Sequence, residues 1–130
     1  MTANRILQYN AISTAACAVG MLAARGILPG LFGLDTPLLM DVVAVGFLVY
    51  AAALAAVARR ETVGRTALMV FAASDAAWVV VSALALLLFW QQMAPAGRLL
   101  VVVVGLVVEV FAALQVRAAG GFRRYSLSAR

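Results

Sequence analysis

Five acids occur in the 130 residues, and two of them, Asp75 and Glu109, stand inside long apolar runs. A carboxyl in the middle of a membrane span costs about 2.5–3.5 kcal/mol to insert, which makes such residues first candidates for function. At a helical rise of about 1.5 Å per residue, Asp75 lies roughly 14 Å from the start of its run and Glu109 roughly 12 Å from the end of its own. If those two ends face the same side, the carboxyls share one level, and Thr14 and Tyr50 fall close to it. No Arg reaches that depth. Two carboxyls in a low-dielectric layer without a cation repel one another, so at least one is expected to hold a proton, or the two to share one. Such a pair suits cation binding, proton relay or protonation of an apolar substrate. The other reading is that each acid only hydrogen-bonds Ser, Thr or Tyr groups between helices.

Helical spacing turns both acids inward. Asp75, Trp78 and Ser82 share one stripe, as do Gly105, Glu109 and Ala112. Gly46, Tyr50 and Ala53 form a third, and Ser13, Cys17 and Gly20 a fourth. Small residues at this spacing favour close helix contact in lipid. The expected site therefore comprises Asp75 and Glu109, with Thr14 near their level and Tyr50 and Trp78 as aromatic walls suited to a cation.

These residues need spans to position them, and composition supplies the spans. The chain is 66% hydrophobic and 12% charged, with mean hydropathy +1.07. Soluble domains carry about 25% charged residues. Crossing a hydrocarbon core of about 30 Å takes roughly 20 helical residues. Four runs qualify, at about 6–25, 37–58, 66–90 and 97–117, forming one membrane domain over 1–121 with a basic tail at 122–130. Barrel-type alternation of apolar and polar residues is absent, and lipid cannot satisfy free backbone groups, so the spans are helices. The fold class is all-α, a four-helix transmembrane bundle. A stop is expected at Gly26–Gly30, and Gly120 with Gly121 is expected to release the tail. A cleaved signal peptide is the rival reading of the first run, weakened by Gln8, Tyr9, Asn10, Ser13 and Thr14 inside it.

All ten bases are Arg, and their placement orients the bundle. Arg5, Arg59, Arg60, Arg65, Arg117, Arg123, Arg124 and Arg130 lie on one side, Arg25 and Arg98 on the other. The positive-inside rule then puts both termini in the cytoplasm, for a multi-pass protein of the cell inner membrane. Arg25, Arg98, Asp35 and Asp41 are expected near the opposite interface, where they can pair, and Trp90 anchors there. The sequence pI of about 10.7 does not indicate nucleic acid, because the bases punctuate apolar runs and form no soluble face. With no His and a single Cys17, neither a metal site nor an intrachain disulfide is expected, and no cofactor is implied. The expected partners are the bilayer, with Phe122–Tyr125 on anionic headgroups, a small apolar molecule or lipid, and a second copy or another membrane subunit. Four short helices alone enclose little volume.

The two halves also match weakly. Residues 11–17 can be laid on 72–78, and 45–50 on 104–109. Paired spans would run in the same direction, as in a parallel duplication of a two-helix hairpin. Chance similarity in an Ala- and Val-rich sequence is the other reading. In its size, its four spans and the Gly26–Gly30 turn after the first, the chain resembles the DoxX-like group of small bacterial membrane proteins. That resemblance implies the four-span architecture and transfers no active-site residue. The small multidrug-resistance transporters are similar in size and span number. Their membrane Glu belongs in the first helix, where this chain has Asn10, Ser13, Thr14 and Cys17. Three classes of function stay open: a binder or carrier of an apolar or cationic molecule, an intramembrane acid/base enzyme acting on an isoprenoid, quinone or other lipid, and an accessory or scaffolding subunit.

Overall fold

The computed structural model describes residues 2–128, with side chains described as far as residue 120. Helix α1 (Ala3–Ala23) begins where the Thr2 hydroxyl accepts a hydrogen bond from the Arg5 amide at 3.3 Å, filling one of the open donors of the first turn. A short helix α2 (Leu28–Leu31) follows, with Pro29 in its first turn, where a missing N–H costs nothing. Helix α3 (Leu38–Ala58) carries Asp41 in its first turn, the end that favours negative charge. Helices α4 (Arg65–Leu88) and α5 (Pro95–Ser128) complete the chain. Four segments are long and apolar enough to cross a membrane: Ala3–Ala23, Leu38–Ala58, Arg65–Leu88 and Pro95–Gly120. They lie within about three residues of the spans expected from sequence, and the described residues contain no strand.

Two features differ from expectation. The break after α1 contains the extra turn α2. Helix α5 does not stop at Gly120 and Gly121 but continues to Ser128. Each glycine costs about 1 kcal/mol in a helix interior, yet extending a helix already formed needs no new nucleus. The side chains of Phe122–Tyr125, and with them the expected headgroup contact, lie outside the described residues.

The helices pack as two antiparallel hairpins, α1 with α3 and α4 with α5, which meet chiefly along α1 and α5. The backbones of α3 and α4 stay apart, and aromatic side chains bridge them. Phe47 meets Trp78 edge-on at 4.8 Å between centroids, and Tyr50 meets Phe71 at 5.8 Å. The termini end is sealed by a core that includes Leu7, Leu54, Ala58, Val63, Leu68 and Ala119. There the Asn4 amide donates to the carbonyls of Ala58 and Arg60, both at 2.8 Å, satisfying acceptors that the end of α3 leaves open.

At the opposite end α2 lies against the start of α5. The Ala94 amide donates to the Leu31 carbonyl at 2.9 Å. Of the four charges expected near this interface, Arg25 and Asp41 pair at 2.6 Å, while the Arg98 guanidinium donates to the Trp90 carbonyl and lies 4.3 Å over its ring. The bond to Asp41 and the carboxylate charge hold Arg25 above the usual guanidinium range. Because Arg25 is exposed, water and salt screen the pair. Arg25→Ala is therefore expected to leave the thermal unfolding temperature unchanged; a clear drop would show that this pair clamps the end of the bundle.

Outward faces of the spans are largely apolar, with Val49, Val80, Leu84 and Leu106 all exposed and Glu109 an acid among them. A contiguous belt of this kind would aggregate in water and is what acyl chains accept.

Candidate functional site

One polar cluster lies at the meeting of all four spans, and Asp75 is its centre. The Asp75 side chain belongs to a residue only 4% exposed, about ten residues into α4. It accepts three hydrogen bonds. Asn10 Nδ2 of α1 donates to Oδ2 at 2.8 Å, Gln115 Nε2 of α5 donates to the same oxygen at 3.2 Å, and the Tyr50 hydroxyl of α3 donates to Oδ1 at 2.8 Å. Thr14, one turn above Asn10, donates to Asn10 Oδ1 at 3.2 Å. That bond fixes which end of the Asn10 amide faces Asp75, because the oxygen is already engaged. The Tyr50 hydroxyl also lies 3.2 Å from the Phe71 carbonyl.

All three donors are electrically neutral. Among the described residues the one salt bridge is Arg25–Asp41, at the far end of the bundle. Asp75 thus has hydrogen-bond donors but no cation. An ionised carboxylate offers about four lone-pair positions. Oδ2 uses two and Oδ1 one, so Oδ1 can accept one further donor. Gln115 is fully buried, and its Oε1 has no partner among the described residues.

Above this cluster lies a cavity of about 430 Å³. Asn10, Tyr50 and Asp75 form its floor. Its walls include Thr14 and Cys17 of α1, Gly46 and Phe47 of α3, Trp78 of α4, and Val104, Val108 and Phe111 of α5. On each helix these positions run away from the termini end. The cavity therefore extends toward the α2 end, and the apolar core closes it below. A single carboxylate at the base of an aromatic and aliphatic chamber can hold a positive charge that arrives with an apolar body.

The structure brings four of the five expected site residues together: Asp75, Tyr50, Trp78 and Thr14 all line the cavity. Glu109 does not join them. It is exposed and is no part of the cavity wall, so the expected carboxyl pair does not form within one chain. The reason lies in the rotation of α5. Its cavity face runs through Val104, Val108 and Phe111 to Gln115 beneath, and Glu109 follows Val108 by one residue, about 100° around the helix. The stripe of Gly105, Glu109 and Ala112 is not the inward one.

Asn10 and Gln115 are the residues that sequence reasoning missed. Asn10 stood out only as a polar interruption of the first run. Gln115 is the one amide within the apolar part of α5, six residues past Glu109. Six residues turn a helix by about 600°, which leaves the two roughly 120° apart. Both cannot face one centre, and an amide in that run was the available sign that a different face was inward. Comparison with protein-family models, with curated proteins and with solved structures finds no match, so the chemistry of this site is read from its own geometry.

Proposed function

We propose that this small integral membrane protein binds and carries an apolar molecule bearing one positive charge, held by Asp75 at the base of the cavity. One observation carries the reading: a buried carboxyl with three neutral donors, a spare acceptor position and no cation among the described residues, facing an apolar chamber. A lone anion in such surroundings gains more from a cation than it would in water, because the low dielectric strengthens the attraction. A ligand N–H⁺ would fill the remaining position on Oδ1, while Phe47, Tyr50 and Trp78 offer ring faces and edges to its body. The cavity falls within the usual range of small-molecule sites, about 300–1,000 Å³.

The Arg bias supports placing the protein in the cell inner membrane with both termini cytoplasmic. The cavity would then extend toward the non-cytoplasmic side. Intramembrane acid/base chemistry on a lipid loses its main support, because one carboxyl was to donate a proton while the other accepted one, and Glu109 is turned away.

The test is a titration of the purified protein with two ligands of one shape, an arylalkyl ammonium and the corresponding neutral alcohol. A charge-assisted hydrogen bond is roughly twice as strong as a neutral one, so the ammonium should bind at least about ten-fold tighter. Equal affinities would remove the role of Asp75.

A further inference from the structure

Glu109 is the feature that the Asp75 site leaves unexplained. It is exposed, it is outside the cavity, and it lies roughly 16 Å from the Gly120 end of its span at the helical rise. That is mid-membrane, facing acyl chains. The other intramembrane acid is buried with three donors, and Asp41, near the interface, has Arg25.

Its neighbours on α5 form a pattern. Val102, Leu106, Glu109, Ala113 and Val116 are all exposed and recur at alternating intervals of four and three. This is the spacing of residues that face a second helix across a left-handed contact. In a parallel pair each such position meets its own equivalent. A two-fold axis along the membrane normal keeps two copies in the same orientation and makes the interface isologous. Glu109 would then meet Glu109 at the same depth.

A carboxyl is self-complementary in this setting. In its neutral form it carries one O–H donor and free acceptor positions, so two of them can satisfy each other reciprocally. A basic side chain has donors only and could not do this. A different membrane protein would need a polar group at the matching depth, whereas a second copy supplies it by symmetry.

We infer that the α5 face centred on Glu109 is a homodimer interface, in which the two Glu109 carboxyls hydrogen-bond across the two-fold axis inside the membrane. This does not depend on what Asp75 binds, and either can fail alone.

Subunit counting by single-molecule photobleaching in dilute liposomes tests it. The wild-type chain should be mostly dimeric. Glu109→Gln, whose amide is also self-complementary, should stay so, while Glu109→Leu should raise the dissociation constant at least ten-fold. In a Cys17→Ala background that keeps Glu109, Ala113→Cys on the same face should cross-link under oxidation, and Val81→Cys, exposed on α4, should not. Monomeric wild-type protein would overturn the inference. So would Glu109→Leu dimerising like wild type, or a failure to cross-link at position 113.

Discussion

Asp75→Asn is expected to lower the affinity for an arylalkyl ammonium roughly 100-fold while leaving the bundle folded. The loss corresponds to about 3 kcal/mol, the upper range for a hydrogen bond to a charged group. The fold should survive because the cluster can rearrange around the new amide. Asn keeps an oxygen to accept from Tyr50 but presents N–H groups where Asp75 presented lone pairs. Gln115 and Asn10, whose N–H groups both meet Oδ2, can each turn their amide by half a rotation so that an oxygen faces the new N–H group, with the Thr14 hydroxyl then accepting from Asn10 Nδ2. Asp75→Leu has no such remedy. It leaves donors from Asn10 and Gln115 buried without an acceptor, at about 1–3 kcal/mol each, while the Tyr50 hydroxyl keeps the Phe71 carbonyl. The two variants should therefore separate, with Asn losing binding and Leu losing stability as well. Titration and thermal unfolding of both in one detergent check this. Binding by Asp75→Asn within two-fold of wild type would sink the proposed site.

The second large effect is expected at the seam between α2 and α5. A Cβ on Gly97 would overlap the backbone carbonyl of Leu31, and one on Gly33 would sit 2.6 Å from the Gln92 carbonyl oxygen. Gly33 also has φ +71°, a conformation that L side chains rarely adopt. Neither obstacle is a flexible side chain that can swing away. Gly97→Ala should thus destabilise by about 1–3 kcal/mol, the usual cost of overpacking, and Gly33→Ala by a similar amount. Gly105→Ala is the internal contrast. It lies in the same helix as Gly97, a new Cβ there meets nothing within 4 Å, and Ala favours a helix over Gly by about 1 kcal/mol. Melting curves should place Gly97→Ala below wild type and Gly105→Ala at or above it. A Gly97→Ala protein melting at the wild-type temperature would mean that α2 does not rest on α5.

The spans were legible in the sequence because their cause is local. A run of about 20 apolar residues can satisfy its backbone in lipid only as a helix, and Arg, Gly and Pro mark where it stops. Asp75 was legible for the same reason, since an acid inside such a run is costly wherever the helix turns. The level shared by Thr14, Tyr50 and Asp75 followed from counting residues.

Rotation of each helix about its own axis was decided only by tertiary structure. Helix α5 is almost uniformly Val, Leu, Gly and Ala between Leu99 and Leu114, so lipid and bundle interior accept its faces nearly equally. Water punishes an exposed apolar stripe and so writes a period into soluble helices; acyl chains do not. With no apolar period to read, residue spacing favours the small-residue stripe through Glu109 as the inward face and passes over Gln115. The choice fell to Gln115 when its amide met the Asp75 carboxyl, a contact between residues 40 positions apart.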